Sequence, residues 1–198
     1  MILYLSIISV CGLLIALFVS LAYSASFLWT LLFTALAIVI IIAVDILVAT
    51  VCRLLPKKVA NSDAKFYQVS KSEKKFYEKL KIRKWKDKIP EIGHFTGFRK
   101  NKIADPQSLE YVQRFLLEAC YGELGHLFII PFGFLILALF FISSTWIALA
   151  IPVACVNAVL NVLPVLVLRY NRYKLEILRK NLLRKKNNEI LKEEKTVS

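Results

Sequence analysis

No lysine or arginine occurs in residues 1–52 or 115–168, although the chain carries 27 of them: 17 lie between Arg53 and Arg114, and 10 between Arg169 and Lys195. The two stretches without basic residues are strongly apolar. A helix needs about 20 such residues to cross about 30 Å of hydrocarbon, so each stretch is long enough for two crossings. Basic segments next to spans stay on the cytoplasmic side. Both basic blocks are therefore expected to face the cytoplasm, joined by two membrane hairpins. The net charge of +13 does not point to nucleic acid as a partner. That reading requires cations on a soluble module with base-stacking aromatics. Cations beside spans instead meet anionic lipid head groups.

The expected spans are 2–22, 27–52, 126–142 and 145–168. Residues 23–26 form a small polar break, Ser143 and Ser144 form another, and Pro131 and Gly133 shorten the third span. The fold class is thus an all-α integral membrane protein of four transmembrane helices in two hairpins, with cytoplasmic interfacial helices. The chain reads as hairpin 1–52, basic loop 53–125, hairpin 126–168 and basic tail 169–198, in the cell membrane with both termini cytoplasmic. The N-terminus has no basic n-region, and its apolar stretch exceeds a signal h-region, so no cleavable leader is expected. In the loop, Asn61, Ser62 and Asp63 offer a helix cap. Phe66, Val69, Phe76, Tyr77 and Leu80 recur at roughly helical spacing with lysines opposite, the pattern of an amphipathic helix on a membrane surface. Residues 89–103 read as loop. Asp105-Pro106 then predicts a second helix start, with Leu109, Val112, Leu116 and Ala119 as its apolar stripe, running on into the third span.

Few residues are suited to chemistry. Cys11, Cys52, Cys120 and Cys155 are widely spaced, with no metal or redox pattern, and read as small apolar fillers. The two histidines are His94 and His126. Glu118, Gly122 and His126 share a helix face at i, i+4 and i+8, and Glu123 lies one turn before His126. One reading is acid–base chemistry, in which a carboxylate orients the imidazole and the imidazole takes a proton from a hydroxyl. The other is a helix end with ordinary polar residues at an interface. Glu123-x-x-His126 also has a di-metal spacing, but such sites repeat the motif on a second helix. No metal or cofactor is expected here. Asp45, Asn157 and Asn161 lie inside spans, where polar residues face the bundle or a cavity. They either line a lipid groove or bond between helices, and Asp45 could also pair with a loop lysine. Arg169-Tyr170-Asn171-Arg172-Tyr173 places two guanidiniums and an amide at a span exit. That suits a phosphate, a carboxylate or an oxyanion, and it is also what a stop-transfer cluster looks like. No His-x-x-x-x-Asp motif occurs, since Arg99 and Pro131 stand at the fifth positions after the histidines. A P-loop, a Gly-x-Ser-x-Gly motif and a dinucleotide fingerprint are also absent.

Several blocks occur together and in order: Lys75-Phe76-Tyr77, Ile82-Arg83-Lys84-Trp85-Lys86-Asp87-Lys88-Ile89, Gly93-His94, Glu118, Glu123-Leu124-x-His126, Asn161-Val162-x-Pro164 and Arg169-Tyr170-Asn171-Arg172-Tyr173-Lys174-Leu175. In this the chain resembles the glycosyl-4,4′-diaponeurosporenoate acyltransferases over residues 75–175. Hairpin 1–52 lies outside the resemblance, and the loop after His94 diverges. The resemblance implies transfer of a fatty acyl group to a sugar's primary hydroxyl in staphyloxanthin-type carotenoid synthesis.

The expected function is therefore a membrane-embedded O-acyltransferase acting on a glycosylated lipid. Its partners would be a glycolipid acceptor, an activated fatty acyl donor and membrane lipids. His126 is the expected base, oriented by Glu118 or Glu123, with His94 as second choice. Asn161 would line the substrate groove. Arg169, Asn171 and Arg172 would bind the donor's phosphate or steady the oxyanion, and Trp85 and Lys86 would sit at head-group level beside the site. The rival readings are a non-catalytic scaffold or accessory subunit binding anionic lipid, which would tolerate changes at His126, Glu118 and Glu123, and another small membrane transferase such as a methyltransferase.

The topology has a direct test. Cysteine-accessibility labelling should find Lys100→Cys and Lys185→Cys on the cytoplasmic side and Ser144→Cys outside. An external 53–125 loop would overturn it.

Overall fold

The computed structural model of the chain describes residues 2–89 and 104–197. Every regular element among them is helical: α1 (Ile2–Ala22), α2 (Phe27–Leu54), α3 (Lys71–Lys79), α4 (Ile82–Trp85), α5 (Leu109–Gly133) and α6 (Trp146–Val197), with short 3-10 turns between. Four helical segments are long and apolar enough to cross a membrane: Leu3–Ala22, Phe27–Leu54, Leu109–Ile142 and Trp146–Lys192. The chain divides into two compact units. One comprises Met1–Leu55 with Leu124–Val165, the other Pro56–Glu123 with Leu166–Ser198.

The first unit is a helical bundle in which several polar groups are satisfied by partners within it. Water is absent from hydrocarbon, so an unmet donor or acceptor there is costly. The buried Thr30 and Thr34 hydroxyls donate to the carbonyls of Ser26 and Thr30, at 2.9 and 2.8 Å. Pro164 has no N–H for the carbonyl four residues back. That carbonyl, of Leu160, instead accepts from the Tyr4 hydroxyl at 3.2 Å. Pro131 and Gly133 end the regular part of α5, and residues Phe134–Ile142 continue as a 3-10 helix with a kink at Leu139. The Ile136 carbonyl in this segment accepts from the Trp146 indole at 2.9 Å. Trp146 is fully buried and packs with Ala37, Ile41, Ile136 and Val153. At Gly12 on α1, an added Cβ would stand 3.0 Å from Ile38 Cδ1 of α2, so the glycine permits that close approach. Phe18, Leu28, Val39 and Leu47 remain exposed on α1 and α2. That is the apolar surface a bilayer would cover.

The second unit corrects the reading of the basic loop. The expected amphipathic helix over 66–80 is only α3. Asn61 caps no helix but forms a turn, accepting from the Asp63 N–H at 3.0 Å. The cap of α3 is Ser70, whose hydroxyl accepts from the Glu73 N–H at 3.1 Å. Phe66, Phe76 and Leu80 are exposed as expected of a surface-seeking face, but Tyr77 is buried. Lys81 adopts a left-handed backbone conformation (φ 52°) that turns the chain from α3 into α4. The start of α5 lies three residues beyond the expected one. Asp105 forms a turn onto the Gln107 and Ser108 N–H groups, and Ser108 caps the helix by accepting from Tyr111 N–H at 3.1 Å. Val112, Leu116 and Ala119 are buried as the stripe predicts, and Val112 and Leu116 pack with Phe115 and Leu175. The helix does run on into the third span. The expected boundary at 168/169 falls within α6, which continues unbroken through the basic segment.

Candidate functional site

In the first unit, four polar side chains from three helices join in one hydrogen-bonded chain. His126 on α5 places Nδ1 2.8 Å from Oδ1 of Asn161 on α6. Asn161 donates through Nδ2 to Oδ1 of Asn157 and to the Asn157 carbonyl, both at 3.0 Å. Asn157 donates through Nδ2 to Oδ1 of Asp45 on α2, at 3.1 Å. The α-helical period places Asn157 and Asn161 one turn apart on the same face. Asn161 is buried, and the other three side chains are half-buried. Gly133 makes room for this chain, since an added Cβ would stand 2.9 Å from Asn157 Nδ2. The arrangement orients the imidazole through Nδ1, and an oriented imidazole can act as a general base.

In the second unit, two arginines and two carboxylates form a compact ionic cluster. Glu123 on α5 is fully buried and accepts from Arg169 Nη1 at 2.7 Å. Its other oxygen pairs with Arg172, whose side chain is also fully buried. Arg169 binds Glu73 with two nitrogens, Nε at 2.5 Å and Nη2 at 3.3 Å. Tyr77 donates to the same Glu73 carboxylate. Arg172 lies 5.0 Å over the Tyr67 ring, and its Nη1 is 3.8 Å from the Cys120 sulfur. Burial pushes the Glu73 carboxyl up, but hydrogen bonds from Arg169 and Tyr77 outweigh this and hold it below its usual 4.5. Burial and the Glu73 carboxylate push the Tyr77 hydroxyl up to about 12. At the edge of the unit, the hydrogen bond from Arg179 lowers Asp63.

The expected site residues thus fall into separate groups. His126 and Asn161 are brought together, which sequence spacing could not show. Glu123, expected to orient His126, is instead ion-paired with Arg169 and Arg172, which were expected to hold an anionic group of the donor. Glu118 is half-buried on α5, and Asn171 is half-buried on α6. The Trp85 indole donates to the Leu80 carbonyl at 3.1 Å, and Lys86 pairs with Asp87 at 3.3 Å. His94 lies outside the described residues. Glu73, Tyr67 and Tyr77 were not expected in a polar cluster. Ser70-x-x-Glu73 is a capping-box pattern that would have started the helix at 71, placing Glu73 and Tyr77 on one face at i, i+4.

These features define a class: an all-α protein with four membrane-length helices and a polar chain that includes an imidazole. The chain also matches the family model described as glycosyl-4,4'-diaponeurosporenoate acyltransferase over residues 63–181, more than half its length. It belongs to that family. No curated protein and no solved structure matches it. The matched residues include Glu73, Glu123, His126, Asn157, Asn161, Arg169 and Arg172, whereas Asp45 lies before them.

Removing one partner from the ionic cluster is expected to be costly, because the other charge is then left buried and unpaired. Glu123→Ala leaves the enclosed Arg172 without its carboxylate, a change that typically costs about 3–5 kcal/mol. Denaturant titration of the detergent-solubilised full chain measures this, and a loss below about 1 kcal/mol would show that the pair is dispensable. The pH dependence has two windows. Glu73 is depressed, so its contribution is fully present above its usual 4.5 and is lost as pH falls through its lower folded value. Tyr77 is raised, so its contribution is fully present below 10.0 and is lost as pH rises toward about 12. Thermal melts should show both losses, and Glu73→Gln should remove the acid one.

Proposed function

We propose that this protein is a membrane-embedded O-acyltransferase that esterifies a sugar hydroxyl of a glycosylated lipid, of the glycosyl-carotenoid type, with a fatty acyl group. Membership in the acyltransferase family over residues 63–181 carries the reading, and the four membrane-length helices support access to lipid substrates. The imidazole held by Asn161 at 2.8 Å supplies a base.

In the proposed step, His126 takes the proton of the acceptor's sugar hydroxyl. The resulting oxygen nucleophile attacks the acyl carbonyl carbon of the activated donor, forming the new ester C–O bond. The bond between that carbon and the leaving group breaks, and the imidazolium returns its proton to the leaving group. Proton, acyl group and leaving group thus balance without a further reactant. A positioned base of this kind contributes typically about 10²–10⁴-fold. Asn161 takes the orienting role that the sequence reading gave to Glu118 or Glu123. Arg169, whose side chain retains 17% exposure, is proposed to meet an anionic group of the donor together with Asn171. Arg172 is fully enclosed, and its proposed role is to hold the fold. Trp85 and Lys86 are proposed to sit at head-group level. The active face is proposed to be cytoplasmic, in the cell membrane.

Lipid extraction and mass spectrometry of cells with and without the protein test the reaction. Acylated glycolipid should appear only with it. His126→Ala should lower that product by about 10²–10⁴-fold while the protein still accumulates in the membrane. His126→Gln should be nearly as damaged, because an amide cannot take up the proton. Normal product from His126→Ala would overturn the base assignment, and no acylated lipid from the unaltered protein would overturn the reaction and favour the scaffold reading.

A further inference from the structure

A narrow, half-open groove runs between α1, α2 and α6 inside the first unit. It is lined from Ile8 to Ile15 on α1 and from Val153 to Leu160 on α6, each set at the i, i+3, i+4, i+7 spacing of one helical face. At 1.5 Å per residue this makes it about 10 Å long. Isoleucines of α2 form the third wall. At Gly12 an added Cβ would stand 3.0 Å from Ile38 Cδ1, so that wall has no spare width. Among the described residues that line the groove, Asn157 is the one strongly polar side chain. Its amide is already spent, donating to Asp45 at 3.1 Å and accepting from Asn161 at 3.0 Å. Walls of this kind offer nothing to a sugar or a phosphate, and they suit hydrocarbon.

The two ends of the groove select among hydrocarbons. At one end Ile15, Ile38 and Val153 pack with the cluster around Trp146, which closes the groove there. At the other end Leu160 precedes Asn161, whose side chain holds His126 at 2.8 Å. The groove therefore starts beside the proposed base and stops about 10 Å further into the bundle. A rigid polyene of the carotenoid class is far too long to seat in it. A flexible acyl chain fits, with its hydrocarbon along the groove and its carbonyl toward the imidazole. We propose that this groove seats the fatty acyl chain of the donor, and that its closed end at Ile15, Ile38 and Val153 limits the length of chain transferred. The proposal rests on the acyltransferase reading. It gives the first hairpin, which precedes the residues matched by the family model, a share in substrate selection.

Two measurements on the full chain in producing cells test it. In the first, cells receive a mixture of fatty acids of graded length, and mass spectrometry gives the acyl-chain profile of the acylated glycolipid. Cys11→Trp fills the groove and should shift the profile to shorter chains. Each methylene denied its place should cost about fourfold in relative use. Ile15→Ala opens the closed end and should shift the profile to longer chains. Leu14 lies on the same helix but is exposed and outside the groove, so Leu14→Trp should leave the profile unchanged. In the second measurement, cells receive a fatty acid with a photoreactive diazirine near its methyl end, and the labelled residues are mapped by peptide mass spectrometry. Label should concentrate on the groove walls of α1, α2 and α6, and Cys11→Trp should reduce it there.

An unchanged profile in both Cys11→Trp and Ile15→Ala overturns the proposal. So does a shift in Leu14→Trp as large as theirs, or label spread evenly over exposed positions such as Leu13, Phe18 and Leu21, which would mean bulk bilayer lipid only. If Cys11→Trp fails to accumulate, Ile15→Ala still reads the profile, and the label map of the unaltered protein needs no variant. If the unaltered protein makes no acylated glycolipid, the reaction reading itself has failed. The label map then decides alone: concentrated label keeps the groove as an acyl-chain site, and spread label removes it.

Discussion

Polar groups inside an apolar span must find their partners within the protein, and most of the first unit follows from that constraint. Hydrocarbon offers no hydrogen bonds, so each unmet donor or acceptor would cost several kcal/mol. The threonines of α2 bond back to their own helix. The carbonyl left open by Pro164 is met by Tyr4, and one in the 3-10 segment is met by Trp146. Asp45, Asn157, Asn161 and His126 obey the same rule collectively, each supplying what the next requires. A chain built for satisfaction in a dry medium is also ordered, because the groups have no water to exchange with. The constraint that holds the bundle together is thus the one that presents an oriented imidazole.

The second unit meets a related constraint with ions. Glu123 and Arg172 are both fully buried, and isolated charges there would be far costlier than neutral amides. They are tolerated because the cluster is balanced. Two carboxylates, Glu73 and Glu123, face two guanidiniums, Arg169 and Arg172, and Tyr77 and Tyr67 complete the shell. Such a cluster is weak evidence for net stability, but each member is costly when its partner is removed. It ties α3 and the short turn bearing Phe66 and Tyr67 to α5 and α6 within the unit. The tight spacing of Arg169 and Arg172 in the sequence is explained by this pairing without any ligand. Of the two, Arg172 is fully enclosed, whereas Arg169 keeps some exposed surface.

Much of the architecture was legible in the chain. The four membrane-length segments, the breaks at 23–26 and 143–144, and the run of α5 into the third span depend on apolar length and on turn residues, which are local properties. The family resemblance was legible for the same reason, since ordered blocks such as Arg83-Lys84-Trp85-Lys86 and Arg169-Tyr170-Asn171-Arg172 are sequence features. Helix starts in the basic loop were read less well. Asn61 and Asp105 bear cap-forming side chains, but both spend them on turns, and Ser70 and Ser108 are the caps. A cap-forming residue cannot announce whether the chain continues into a helix or only turns.

Pairing between distant residues was not legible. Helical spacing placed Glu118 and Glu123 near His126 along one helix, and it located Asp45, Asn157 and Asn161 as unexplained polar residues in spans. Which of them meet depends on how three helices pack, and that is decided by shape: the room left at Gly133 and the close approach at Gly12. The sequence by itself determined the helical spans, the two basic blocks and the family, because hydrophobic length, charge and local motifs are written residue by residue. Only the tertiary structure decided that His126 is held by Asn161 and that Glu123 belongs to the arginines, because those choices arise from side chains satisfying one another across helices.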